Sequence, residues 1–195
     1  LLLTENYPPQ RGGMAQSCDR IVYGLRQRGY TIDLVHFTSR VNKIHVDRQV
    51  NGHLISIPFD ESEAHTLNVA WTFIRQSLPK PDLAVCFGGY FPMFAAPVYA
   101  RWLSVPLLTL LRGNDFDSAL FTPRKKSILE DALQTSAHVT VVSSEKNEKL
   151  ELLYPNVITS YVPNGISLDD WTPTPSERAF AESWRLKNAK DKLVL

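Results

Sequence analysis

A glycine pair, Gly12–Gly13, stands where the opening "LLLTENYPPQR" gives way to an apolar-periodic run. Two glycines before a helix leave backbone N–H groups with no side chain in the way. The helix dipole adds partial positive charge at the same point, so a phosphate could sit against the loop. A tight strand-to-helix turn with no ligand is the other reading. The spacing is neither G-x-G-x-x-G nor a G-K-[ST] loop, so neither the dinucleotide fingerprint nor a Walker loop is present. A second group, Arg112-Gly113-Asn114-Asp115, follows an apolar run. An arginine there can hold a phosphate through two parallel hydrogen bonds. Asp115 can hold a hydroxyl or cap the segment that follows it.

Other reactive residue types carry less. His36 lies in a strand pattern and reads as a core or rim residue, and His45, His53, His65 and His138 have no partner at useful spacing. No nucleophile-elbow motif supports a Ser-His-Asp arrangement. Cys18 and Cys86 sit in apolar patterns, far from any Cys or His at ligand spacing, and read as core residues of a reducing compartment. No metal site is expected.

The elements that must position these residues follow from periodicity. "LLLT" reads as the end of a buried strand, clipped at its start. From Met14 to Gly29, Ala15, Cys18, Val22 and Leu25 share one helical face, and Arg20, Arg26 and Arg28 are expected in solvent. Gly29 is placed as the C-terminal cap. "TIDLVHF" is a strand, and Asn51-Gly52 marks a hairpin between "KIHV" and "HLISI". Residues 61–78 form a helix. "DLAVCFGG" is an all-apolar strand, as expected of one buried on both faces. "PMFAAPVYARWL" is a helix kinked or started by Pro97. Then come strand "PLLTLLRG", helix "RKKSILEDALQ", strand "HVTVVSS", helix "EKNEKLELLY" and strand "VITSYVPNG".

Alternating strands and helices predict an α/β fold: a Rossmann-like, mostly parallel sheet with helices on both faces and right-handed crossovers. Ligands then bind at the carboxyl ends of the strands. That singles out the loops "ENYPPQRGG", "FGGYFP", "RGNDFD", "SSEKN" and "PNGISLDD". Beyond "PNG" the chain reads as a linker, a helix "SERAFAESWRLKNA" with a serine cap, and the start of a strand, "DKLVL". The expected organisation is one domain over 1–165, with 166–195 as linker, helix and the beginning of a second, truncated domain.

The 195 residues are 44% hydrophobic and 21% charged, which is globular rather than disordered composition. A net charge of +1 argues against a nucleic-acid partner. The basic clusters "RQRGY" and "PRKKS" read first as solvated faces, and second as shallow contacts with phosphate or anionic lipid. No apolar run is long enough to span a bilayer. The expected location is cytoplasmic, with peripheral contact at the inner membrane face as an added reading.

Three stretches together resemble one family. "YPPQRGGMAQSCDRIVYGLRQRGYTIDLV" is similar to the opening of GT-B glycosyltransferases of the family-4 type, with "LRQRGYTIDLV" in the place of their L-x-x-R/K-G-H/Y-x-V passage. "SAHVTVVSSEKNEKL" resembles their A-D-x-[VI]-x-x-x-S strand and helix. "VPNGISLDDWTP" is similar to the joint between their two domains. The resemblance implies the N-terminal, acceptor-side half of a retaining glycosyltransferase that is inactive as a lone domain. Its donor would be a nucleotide sugar and its acceptor a glycan, lipid or small molecule, with no cofactor and no metal. The donor half would belong to a C-terminal domain of the same chain.

On this resemblance Gly12 and Gly13 approach the donor phosphates, where backbone amides meet the charge that grows on the leaving diphosphate. Arg112 and Asp115 stand where the family often carries a histidine-bearing or G-x-D loop, which places them as catalytic. The departure to arginine puts any histidine role in doubt. Glu5, Asn6, Tyr7, Tyr90 and Asn114 would line the acceptor cleft, and Asn164 and Gly165 would form the interdomain joint. A noncatalytic α/β sugar- or nucleotide-binding module and a GT-B-shaped sugar-nucleotide epimerase are the competing functions, since one fold hosts many.

Overall fold

The computed structural model describes residues 1–59, 62–165 and 172–188. Contacts divide the chain into two units, Leu1–Pro163 and Asn164–Leu195. The first unit is an eight-stranded sheet in the order β3-β4-β2-β1-β5-β6-β7-β8. Its strands are β1 (Leu2–Thr4), β2 (Leu34–Thr38), β3 (His45–Gln49), β4 (Gly52–Pro58), β5 (Ala84–Phe87), β6 (Leu107–Leu111), β7 (His138–Val141) and β8 (Thr159–Tyr161). Every pairing is parallel except the β3–β4 hairpin. The helices are α1 (Gly13–Gln27), α2 (Glu63–Ser77), α3 (Tyr90–Leu103), α4 (Asp115–Leu120), α5 (Pro123–Thr135) and α6 (Ser144–Leu153). The α/β architecture is as the sequence predicts.

Alternation along the strands builds two cores. Leu3, Val35, Phe37, Cys86, Leu107, Leu111 and Val139 face α2, α3, α4, α5 and α6, whose Ala70, Ile74, Ala96, Phe116, Leu129 and Leu150 complete that core. Leu2, Leu34, Phe87 and Leu110 face the other way, toward Cys18 and Val22 of α1. Both cysteines are fully buried, and burial pushes the Cys18 thiol up to about 12. A parallel sheet needs cover on both faces, because the pleat points apolar side chains both ways. On the α1 side, Ile21 and Leu25 of that helix and Val85, Leu108, Leu110 and Thr140 of the sheet line a groove of about 900 Å³.

Helix α1 ends as its sequence predicts. Gly29 takes φ +87°, its N–H donates to the Arg26 carbonyl (3.0 Å), and the Tyr30 N–H reaches the Leu25 carbonyl (3.2 Å). These are the two bonds of a Schellman cap, which satisfy carbonyls the helix leaves open. The hairpin also forms where Asn51-Gly52 places it. Gly52 has φ +125°, and a Cβ there would meet the Ile32 carbonyl oxygen at 2.1 Å, so only glycine fits against that strand entry.

Several expectations are corrected. Arg26 is not in solvent: it is 6% exposed, and its guanidinium donates to the carbonyls of Ile32 (2.6 Å) and His53 (3.0 Å) and to Gln49 Oε1 (3.2 Å). Helix α3 starts at Tyr90, so Pro97 lies inside it rather than starting it. The loop "RGNDFD" runs into the short helix α4, whose six residues are too few to show a periodic stripe. In the second unit, α7 (Pro175–Asn188) is capped by Thr174 rather than by a serine. Thr174 Oγ1 accepts from the Glu177 N–H (3.3 Å), and Glu177 Oε2 accepts from the Thr174 N–H (2.7 Å), a reciprocal capping box. The linker over 166–171 and the expected strand "DKLVL" lie outside the described residues.

Candidate active site

Strand β1 lies between β2 and β5, and the chain leaves it toward β2 and later returns on the β5 side. A crevice opens at such a reversal, outside the carboxyl ends of the strands. Three loops meet there, and Met14 in the first turn of α1 joins them. A Cβ on Gly113 would lie 2.5 Å from Met14 Sδ, and one on Gly88 would lie 2.8 Å from Met14 Cε. The glycines after β5 and β6 therefore let the first turn of α1 press against both neighbouring loops.

Gly12 is the N-cap of α1, with φ 131° and ψ 162°, a conformation open essentially to glycine alone. Neither it nor Gly13 has a heavy atom within 4 Å of an added Cβ, and both are exposed. No side chain caps α1 and no acid lies in its first turn. Of the other helices, α2, α4 and α6 are provided for. Ser62 caps α2 and Ser143 caps α6, each with a glutamate in the first turn, while α4 opens on Asp115 and Asp117. Helix α5, like α1, has no side-chain cap and no acid in its first turn, and it opens on Pro123 and three cations.

Helix α3 is served by two carboxylates from elsewhere in the chain. Its N-cap Gly89 has no side chain. Glu5 Oε1 accepts from the Phe91 N–H at 2.5 Å, and Asp115 Oδ1 accepts from the Gly89 N–H at 3.2 Å. A Cβ on Gly89 would lie 2.9 Å from Glu5 Oε2, so glycine is what admits the carboxylate. Burial raises the Glu5 carboxyl above its ordinary range. The Phe91 and Tyr90 amides oppose that shift, and the charge of Asp115 adds to it. A carboxyl whose folded pKa is raised binds protons more tightly when folded. Its stabilising effect is thus present at low pH and lost as pH rises through the folded value. Glu5→Gln is therefore expected to gain stability relative to the wild type as pH rises from 4 to 7, read as the difference in thermal midpoint across that range. A difference that does not change with pH would show that the amides hold the carboxylate in full.

Asp115 Oδ2 is buried and has no hydrogen-bond partner among the described residues. Asp115 borders a hollow of about 60 Å³ with Gly89, Tyr90, Ser118 and Lys125 on its walls. An unpaired buried acceptor is costly, so a hydroxyl or water donor is the complement this hollow calls for. Asn114, the N-cap of α4, is exposed and makes no capping bond. Tyr90 lies at the rim, its hydroxyl donating to Glu63 Oε2 (3.2 Å) and its ring 5.6 Å from the Arg124 guanidinium. Asn6 is half-buried, with its N–H held by Thr4 Oγ1 (2.8 Å). Tyr7 is 8% exposed in the α1-side core, edge-on to His36 at 6.0 Å, and burial pushes its phenol up to about 12.

Arg112 turns to the α1 side, 8% exposed. Its Nη1 donates to the Val162 carbonyl (2.9 Å) just past β8, and burial lowers its pKa. Asn164 and Gly165 fall in the second unit, outside regular structure. Of the sequence candidates, then, Glu5, Tyr90 and Asp115 meet at the start of α3, and Gly12 and Gly13 lie at the start of α1. Arg112 and Tyr7 pack on the α1 side of the sheet.

Sequence reasoning missed Met14 and Lys146. Lys146 Nζ donates to the Gly113 carbonyl and lies 3.5 Å from Asp117, holding the loop after β6. Its signal was present in "SSEKN", one of the post-strand loops. The histidines have partners that spacing did not show: His53 Nδ1 with Asp33 (2.8 Å), His45 Nε2 with Asp47 (3.0 Å) and His138 Nε2 with Ser160 (2.8 Å). In "PRKKS", Arg124 pairs with Glu63, and Lys126 lies 3.8 Å from Glu130. Among the described residues no helix is long and apolar enough to cross a membrane.

The family model for Glycosyltransferase Family 4 matches residues 11–170. The chain belongs to this family. Two solved structures share the fold of this glycosyltransferase-family domain. Sucrose-phosphate synthase from Thermosynechococcus elongatus matches with a TM-score of 0.72 and 13% identity, over 93% of this chain and 51% of that one. A trehalose-6-phosphate structure from E. coli, bound with UDP-2-fluoro glucose, matches with a TM-score of 0.62 and 11% identity, over 96% of this chain and 54% of that one. Both support a GT-B type of glycosyltransferase domain. The chain spans about half the length of each. No curated protein sequence matches it.

Proposed function

We propose that this glycosyltransferase family 4 chain is the acceptor-side half of a retaining enzyme. It would move a sugar from a nucleotide-sugar donor to a glycan, lipid or small-molecule acceptor. The observation that carries this reading is the bare N-terminus of α1 behind Gly12 and Gly13, beside the crevice at the strand reversal. Free amides and a helix dipole there match a diphosphate that gains charge as it leaves. In the reaction the bond from the anomeric carbon to the diphosphate oxygen breaks and its electron pair leaves with the diphosphate. The acceptor oxygen bonds to the same carbon with retained configuration, and its proton passes to the leaving diphosphate oxygen. Charge on the leaving group is met by amides and basic groups without a metal.

In this reading Asp115 accepts a hydrogen bond from an acceptor hydroxyl, and Glu5 fixes the start of α3 beneath it. Arg112 positions the loop from Gly113 to Asp115 by tying the end of β6 to the strand that follows β7. The C-terminal half of the protein holds the nucleotide, so the 195-residue chain alone is inactive. The E. coli structure carries UDP-2-fluoro glucose, which makes UDP-glucose the first donor to test. The test is donor hydrolysis and transfer by the full-length protein beside this chain, across a panel of nucleotide sugars. Turnover by the full-length protein alone is the expected result. No turnover and no nucleotide binding by either would favour a noncatalytic module.

A further inference from the structure

We propose that the groove between α2 and α3 binds the alkyl chain of an amphiphilic acceptor, so that the natural acceptor is a glycolipid or alkyl glycoside. This rests on the acceptor-side reading above and narrows it. The groove encloses about 350 Å³, within the range of small-molecule sites. Its body is apolar, formed by Ala64 and Leu67 of α2 and by Phe94 and Val98 of α3. One end is charged, where Glu63 pairs with Arg124. The other end is aromatic. Trp102 is 57% exposed and packs on Trp71 at 4.8 Å and Tyr99 at 6.3 Å.

The order of these surfaces is what selects an amphiphile. The charged end adjoins the candidate site through Tyr90. This residue lines the hollow beside Asp115, its hydroxyl donates to Glu63, and its ring lies 5.6 Å from the Arg124 guanidinium and 6.3 Å from the Phe94 ring. A sugar hydroxyl at Asp115 would therefore have its aglycone leave past Tyr90 into the groove. From Phe94 to Trp102 the helix rises ~12 Å, about the extended length of a decyl chain. An α-helix with its side chains is about 10–12 Å across, too thick for this volume, whereas a single hydrocarbon chain fits.

The test uses this chain and n-decyl maltoside below its micelle concentration, read by calorimetry and by tryptophan fluorescence. Ala64 and Asn68 are exposed on α2, so Ala64→Arg places a cation in the groove without touching a core. Wild type is expected to bind decyl maltoside and not maltose. Ala64→Arg is expected to weaken binding about tenfold or more with unchanged melting temperature, and Trp102→Ala to weaken it similarly with a small fall in melting temperature from the lost packing on Trp71 and Tyr99. No binding by the wild type, or equal binding by both variants, overturns the proposal. Dimerisation that Ala64→Arg abolishes also overturns it, because the face would then join two copies of the chain. The full-length protein separates this from the broader reading. Ala64→Arg should raise KM for a decyl acceptor and leave KM for the methyl glycoside unchanged. Equal KM for both acceptors in the wild type defeats the groove alone, whereas no transfer to any acceptor defeats the transferase.

Discussion

Gly13→Asp is expected to lower kcat/KM of the full-length enzyme by about 10²–10³-fold while raising the melting temperature of the domain. The opposite signs come from one feature. Gly13 is the first residue of α1, outside the positive-φ region, with open space where a Cβ would go. An aspartate there fits without strain. It removes the entropic cost of a helical glycine, ~0.5–1 kcal/mol. It also places a carboxylate against the helix N-terminus, which stabilises by ~0.3–1 kcal/mol. A gain of ~1 kcal/mol corresponds to about 2–4 °C for a domain of this size. If the leaving diphosphate uses those amides, the new carboxylate occupies and repels its seat. Gly13→Ala is the control, since it gives the stability gain without the charge and should keep most activity. A Gly13→Asp enzyme that melts higher and works normally would remove the phosphate role from this loop and leave it a tight turn.

Arg26→Met is expected to destabilise the domain by about 2–3 kcal/mol, a fall of roughly 5–10 °C in melting temperature. The guanidinium bonds the carbonyls of Ile32 and His53, and the Asn51 amide nitrogen donates to the carbonyl of Arg26 itself at 2.8 Å. The Ile32 N–H in turn donates to the Asn51 carbonyl at 2.9 Å. One side chain therefore clamps the end of α1, the entry to β2 and the β3–β4 hairpin. Removing it leaves two inward carbonyls short of a donor, and release of a buried cation offsets only part of that loss. Arg26→Lys should recover a fraction, because an ammonium cannot reproduce the planar fork. Amide exchange should quicken at Ile32 and along the hairpin before it does in β5 and β6. An unchanged melting temperature would show that the hairpin is held by its strand pairing alone.

Much of the fold was legible because its causes are local. Apolar period 3.6 from Ala15 to Leu25, the capping glycine at Gly29 and the Asn51-Gly52 turn each act within a few residues, so the sequence places them. All-apolar runs such as "LAVCF" and "PLLTLL" identify strands buried on both faces, and alternation with helices makes the sheet parallel. The errors have a common cause as well. Arg26 reads as a wet residue because its partners are 6 and 27 positions away, across a turn and a hairpin. The six residues of α4 are fewer than two turns and leave no periodic signature.

The candidate site divides along the same line. The amino-acid sequence by itself determined the glycine pair at the head of α1, the post-strand loops that must surround a crevice, and the resemblance that the family match bears out. Only the tertiary structure decided which residues meet. It placed Glu5 against Phe91, 86 positions along the chain, and Asp115 against Gly89, 26 positions back, and it turned Arg112 toward Val162. Periodicity reports which face of an element is buried. Which carboxylate reaches which helix end depends on strand order, and that order is fixed by the packing of the whole sheet.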